Sequence, residues 1–225
     1  MIALGASRPL RTFAMHKTEL MSTYVILLRG INVGGKNNVA MAALIKCLEE
    51  LGFSHVSTYI ASGNVILVSD KSADEIKAQI EEALPKSFEL NNELIKVLVL
   101  TPSQLQAVID NKPEGFYEQP EKYHCDAIFL MGIDVTQAMS VFDPREGVDK
   151  IWPGDGVIYS QRLSALRTKS RLSKIMGTAP YKSMTIRSWS TTTRLLEILK
   201  TIDADKGGAQ AVVRNSIRLP KGSNE

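Results

Sequence analysis

The chain reads as an α+β protein of two tandem ferredoxin-like (α/β-plait) modules with antiparallel sheets. Three features of the 225-residue sequence lead there. The hydrophobic pattern over residues 23–101 runs β-α-β-β-α-β, the order of a ferredoxin-like unit. A similar order returns over residues 102–200, with extra helices. Long parallel crossovers, which a single large parallel sheet needs, are scarce. Residues 1–22 form an N-terminal extension in this reading, and residues 201–225 a flexible C-terminal tail.

Each element has a local reason. TYVILLRGI is nearly all apolar with a β-branched bias, which predicts a buried strand from Tyr24 to Arg29. MAALIKCLEEL places Met41, Leu44, Ile45, Leu48 and Leu51 on one helical stripe, and Gly52 stops it. SHVSTYIA and VILVSD are strands on either side of Ser62-Gly63-Asn64, a tight-turn tripeptide that predicts a hairpin. Ser72 to Leu84 is a helix opened by the capping box Ser72-Ala73-Asp74-Glu75, and Ile95 to Leu100 is the fourth strand. Beyond it come a helix from Pro102 to Asp110, a strand from His124 to Met131 and a short helix from Val135 to Phe142. Strands Asp149–Trp152 and Gly156–Gln161 flank the turn Pro153-Gly154-Asp155. Ser170 to Met176 is helical, Met184 to Ser188 a strand, and Thr191 to Lys200 a helix capped by Ser190 or Thr191.

Composition excludes several classes. Hydrophobic residues make up 44% and charged residues 23%, which is neither a disordered nor a collagen-like chain. No apolar run approaches the ~20 residues of a membrane span. Two cysteines far apart, Cys47 and Cys125, suit reduced thiols and a cytoplasmic setting. The first 22 residues carry Arg8, Arg11, His16 and Lys17 against Glu19 alone, with no apolar signal core. Their basic bias fits a targeting peptide; an extension upstream of a start at Met21 is the plainer reading, so Met1 and Met21 both remain as starts. The net charge of +3 conceals a split: residues 1–144 hold 12 basic and 17 acidic side chains, residues 145–225 hold 15 and 7.

The sharpest local motif is Arg29-Gly30-Ile31-Asn32-Val33-Gly34-Gly35-Lys36-Asn37. Gly30 to Lys36 fits the spacing of a nucleotide-binding P-loop. Asn37, however, stands where that loop needs a magnesium-binding hydroxyl. Lys36 precedes the helix stripe, and the next two strands form a hairpin rather than a parallel crossover. The NTPase reading therefore fails. Two readings remain for the glycines: a tight loop that needs positive φ, or converging N–H groups that form an anion nest. Arg29 and Lys36 flank the loop with positive charge, and Asn32 and Asn37 add donors. In a β-α-β-β unit the first two strands run parallel, so this loop and the turn Ser62-Gly63-Asn64 fall on one sheet edge. The combination suits a phosphate-bearing or other anionic small molecule and contains no obvious general base or nucleophile. The expected ligand set is Arg29, Gly30, Asn32, Gly34, Gly35, Lys36, Ser62, Gly63 and Asn64. No cofactor is called for.

The segment YVILLRGINVGGKNNVAMAALIKCLEELGFSHVSTYIASGNVILVSD closely resembles the opening of a bacterial family catalogued as domain of unknown function 1697. The resemblance continues through Ser170-Arg171-Leu172-Ser173-Lys174, Met184-Thr185-Ile186-Arg187 and the helix near Thr191, over roughly residues 23–200. Where that family has Thr-Arg-Asn, this chain has Ile186-Arg187-Ser188. The resemblance implies a pair of α/β-plait domains and no activity.

From Gly156 to Leu196 eight basic residues occur with no acidic one. Lys169, Arg171, Lys174, Arg187 and Arg194 form the core of a candidate anion or nucleic-acid face. The other readings are a solvated face partly neutralised by the acidic first module, in which the charge split docks the two modules, and a scaffold or interaction protein whose charge split serves docking or oligomerisation. A ferredoxin-like RNA binder stacks bases on aromatics of its central strands; here these are Phe129, which fits a core better, and Tyr159, which fits either. Trp152 and Trp189 read as packing residues. Ser188 to Thr193 caps the last helix, and with Arg187 and Arg194 offers a second anion site. His16, His55 and His124 have no partners at metal-ligand spacing, so no metal is expected.

Overall fold

The computed structural model describes residues 21–90 and 95–216. The expectations for residues 1–20 and 217–225 lie outside the described residues.

The chain builds β1 (Ser22–Arg29), α1 (Met41–Glu50), β2 (Ser54–Thr58), β3 (Asn64–Ser69), α2 (Ala73–Ser87) and β4 (Lys96–Leu100). Then follow α3 (Pro102–Asp110), β5 (Tyr123–Leu130), α4 (Val135–Met139), β6 (Asp149–Pro153), β7 (Val157–Leu163), β8 (Met184–Ser188) and α5 (Trp189–Ser216). Three 3₁₀ segments, Ser164–Lys169, Leu172–Gly177 and Pro180–Ser183, join β7 to β8. The strands form two four-stranded sheets, ordered β2-β3-β1-β4 and β6-β7-β5-β8. All pairings are antiparallel. The protein is thus mixed α+β with two antiparallel sheets of the same strand order.

Sequence chemistry accounts for the element ends. Ser72 and Glu75 close the expected capping box of α2: the Glu75 N–H donates to Ser72 Oγ, and the Ser72 N–H to Glu75 Oε2 at 2.8 Å. Gly52, at φ +88°, ends α1 in the left-handed region. Four expectations change. The segment at Ser170–Met176 is a 3₁₀ turn rather than an α-helix, since its two buried residues, Leu172 and Ile175, are three apart and fit the three-residue period. The helix at Val135 stops at Met139. β2 stops at Thr58, two residues before Ile60 turns to positive φ, and the positive φ of His55 goes with a register shift between Ser54 and Ser57 within the strand. α5 starts at Trp189 and runs to Ser216, well past Lys200 and into the stretch read as a tail. Its cap is Ser188, whose Oγ accepts the Thr191 N–H at 3.2 Å, not Ser190 or Thr191.

Strand alternation sends side chains to three apolar layers. Tyr24, Ile26, Leu28, Val65, Leu67 and Val97 pack under α1 and α2. Ile128, Leu130, Ile158 and Met184 pack under α4 and the 3₁₀ segments. Between the sheets lies a shared layer: Val25, Leu27 and Ile66 from the first, Ala127, Phe129, Val157 and Tyr159 from the second, with α3 and α5. Phe116 anchors it, its ring 4.9 Å from Trp189 and 5.3 Å from Tyr159. No ion pair among the described residues joins the two sheets. The halves meet through this layer and through hydrogen bonds, among them Arg187 Nε to Asn64 Oδ1 and Thr23 Oγ1 to the Asp203 carboxylate.

Candidate functional site

The loop after β1 is held by its own asparagines. Asn32 and Asn37 both adopt positive φ, a region asparagine tolerates. Asn32 accepts the Val39 N–H at 2.8 Å and donates to the Val39 and Ala61 carbonyls at 2.9 and 3.2 Å. Asn37 donates to the Gly30 carbonyl at 2.8 Å. Val33 and Lys36 close a turn with a 3.1 Å hydrogen bond around Gly34 (φ +60°) and Gly35 (φ +74°). Two successive positive φ values define a primed hairpin turn, and that geometry is what requires both glycines. A nest needs right- and left-handed residues in alternation, so Gly34 and Gly35 supply a turn and do not line the cleft described below.

The second loop lies on the same edge, as the topology requires. Gly63, at φ +73°, is pressed against β1: a Cβ there would meet the Leu28 carbonyl oxygen at 2.9 Å. Its own carbonyl accepts the Leu28 N–H at 2.8 Å. Asn64 is fully buried and donates to the Tyr59 carbonyl and to Ser62 Oγ. The Asn32 and Asn64 amides, both in the expected ligand set, are therefore committed to holding the loops.

A third wall comes from the second sheet. Together the walls enclose a cleft of about 350 Å³, which includes Arg29, Gly30, Val33, Lys36, Ser62, Tyr181, Met184, Thr185 and Arg187. Arg29 Nε donates to the Met184 carbonyl at 3.0 Å, and its guanidinium lies 5.2 Å from the centre of the Tyr181 ring. Lys36 is exposed. Arg187 is 7% exposed and sits on the inner face of β8 opposite Ala127, whose small side chain leaves room for it. Its Nε donates to Asn64 Oδ1. Nη1 donates to Thr185 Oγ1 and the Ile186 carbonyl, and Nη2 to the Leu28 and Gly63 carbonyls. Every one of these acceptors is neutral. Burial pushes the Arg187 pKa down to about 10, which still leaves it cationic near neutrality. Among the described residues, the lining holds three cations and no carboxylate, imidazole or thiol.

The expected basic face is not assembled. Arg187 is buried at the cleft. Arg171 and Lys174 share Asp143 at 2.8 and 3.7 Å, Arg194 pairs with Glu197 at 2.8 Å on α5, and Lys169 stands exposed on a 3₁₀ segment. The second anion site at Ser188–Thr193 loses both its arginines in the same way. Phe129 and Tyr159 lie in the layer between the sheets, and the Tyr159 hydroxyl donates to the Val108 carbonyl at 2.7 Å, so neither is a stacking platform. Cys125 is buried and its thiol is pushed up to about 11, which suits an inert side chain. His124 contacts Asp126 rather than Cys125, and Arg162 takes the other Asp126 oxygen at 2.6 Å.

Sequence reasoning missed Tyr181, Met184 and Thr185, and placed Arg187 on the wrong face. The available signal was a lone arginine in a strand otherwise suited to burial, Met184-Thr185-Ile186-Arg187.

Fold and cleft together define an α+β protein that carries a cationic cleft across two antiparallel sheets. The chain belongs to the family described as protein of unknown function (DUF1697), whose model matches residues 21–159. That match includes the glycine loop and the hairpin but ends before the wall at Tyr181–Arg187. Among solved structures, a conserved bacterial protein from Streptococcus pneumoniae is 30% identical with a TM-score of 0.65. The alignment covers 80% of this chain and 99% of that one. No curated protein matches.

Proposed function

We propose that the cleft between the glycine loop, the β2–β3 loop and β8 binds a phosphate-bearing or other anionic small molecule. The observation that carries this reading is Arg187: a buried cation, bonded only to neutral acceptors, in a cleft with two further cations and no carboxylate. An uncompensated charge away from water is costly, and an anion in the cleft offsets that cost. The free donors suit an oxyanion. They are the Arg29 Nη groups, the Lys36 ammonium and the Ser62 and Tyr181 hydroxyls. A volume of about 350 Å³ fits a small ligand, at the low end of the range for small-molecule sites. The lining offers donors without an acid–base pair, so the reading is binding rather than catalysis.

Thermal-shift measurements with phosphate, sulfate and chloride at matched ionic strength test it. Phosphate and sulfate should raise the melting temperature above chloride; identical curves would count against the cleft. The nucleic-acid alternative has less behind it, since the basic residues are dispersed and the candidate aromatics are interior. It predicts binding that falls steeply with salt.

The strand order of each sheet, with its helices, supports two ferredoxin-like modules at residues 23–101 and 102–200, joined through a common layer. Two free, buried cysteines fit a reducing, cytoplasmic setting.

A further inference from the structure

Two exposed apolar side chains stand on the two loops that frame the cleft. Val33, at the tip of the glycine loop, is 65% exposed and lines the cleft. Ile60, in the β2–β3 loop two residues before Ser62, is 53% exposed. Ile60 also holds φ +51°. A β-branched residue in the left-handed region is a conformational outlier that the surrounding structure must hold in place. Asparagine or glycine at position 60 would meet that geometry at little cost. The chain instead presents an isoleucine to water.

The loops are tied to each other through the Asn32 hydrogen bond to the Ala61 carbonyl, so Val33, in the lining, and Ile60, two residues from the lining Ser62 but outside it, stand on one joined rim. Inside the rim, Met184 and Ile186 add apolar wall. The amides of Asn32 and Asn64, the groups best suited to reading sugar hydroxyls, are spent within the protein. The rim therefore offers apolar contact beside a cationic cleft.

We propose that the ligand of this cleft is amphiphilic: a phosphate monoester whose anionic head meets Arg29 and Lys36 and whose apolar body rests on Val33 and Ile60. This rests on the anion reading above and narrows it to a ligand class. The same chemistry occurs in a soluble alkyl or aryl phosphate and in a phosphatidate headgroup in a lipid surface.

The test is a calorimetric series on the full chain with inorganic phosphate, glycerol phosphate, butyl phosphate and hexyl phosphate. Affinity should rise at least tenfold from inorganic to hexyl phosphate, while glycerol phosphate stays near the inorganic value. A Val33→Asn/Ile60→Asn double variant should bring hexyl phosphate down to the inorganic-phosphate value measured on that same variant. Asparagine tolerates positive φ, so Ile60→Asn should not unfold the loop, and a melt on the same sample checks this. Equal affinity for all four compounds overturns the amphiphile proposal while the anion site stands. Binding of none overturns both. A gain with chain length that survives the double variant overturns the role of the rim. Sedimentation with phosphatidylcholine vesicles, with and without phosphatidate, separates the two sources. Capture only by phosphatidate vesicles assigns a lipid, and soluble-ester binding without capture assigns a free small molecule; both support the class.

Discussion

Arg187 is where chemistry and architecture meet. It reaches from β8 to Asn64 and to the Leu28 carbonyl, so one side chain satisfies polar groups from both sheets. Replacing it with leucine leaves those buried acceptors without donors, and the expected loss is about 2–3 kcal/mol in urea unfolding. Arg187→Lys should recover little, because an ammonium cannot reproduce the fork that serves several acceptors at once. Gly63 is the second sensitive position. Gly63→Ala forces a Cβ against the Leu28 carbonyl at positive φ, and should destabilise by roughly 1–3 kcal/mol in the same assay. Gly34→Ala, which meets no neighbour, should cost less. Asp149 supplies the pH test. Burial alone raises its pKa, but hydrogen bonds from the Arg171 N–H, the Ser170 hydroxyl and the Arg145 N–H outweigh it and hold it below the ordinary 3.8. A depressed folded pKa adds stability that is complete above 3.8 and lost as pH falls through the folded value. Asp149→Asn should therefore be less stable than the parent at neutral pH, with the difference shrinking below about pH 4.

At the scale of elements, what was legible depended on whether the signal was local. Apolar periodicity found the eight strands, and the Ser72–Glu75 pair located the start of α2. Ser72→Ala should cost about 1 kcal/mol by removing that cap, measured as a fall in melting temperature. The failures had tertiary causes. The glycine loop reads from sequence as either a nest or a turn, and only the hydrogen bond from the Lys36 N–H to the Val33 carbonyl decides for the turn. The basic run looked like one face because eight cations follow one another in sequence. Strand alternation and three separate 3₁₀ segments then scatter them, and Arg187 faces inward opposite Ala127. The edge shared by the glycine loop and the β2–β3 loop was legible because it follows from strand direction alone. The wall at Tyr181–Thr185 was not, since it belongs to another sheet and no local pattern links the two.

At the scale of the whole molecule, the apolar layer between the sheets decides more than the charge split. Val25, Leu27 and Ile66 meet Phe129, Val157 and Tyr159 there, so each sheet buries both faces and neither leaves a face for stacked bases. The cleft exists only because this layer holds the end of β1 beside the start of β8; it belongs to neither sheet alone. A cation-rich cleft assembled across that join should take up an anion. Calorimetric titration of the full chain with inorganic phosphate at constant ionic strength tests it most directly, with the parent beside an Arg29→Ala/Lys36→Ala variant whose fold is checked by melting. Binding should be saturable in the parent and at least about tenfold weaker in the variant, since each charge-assisted contact is worth about 1.5–3 kcal/mol. Equal affinity in the two proteins, or no binding in the parent, would contradict it.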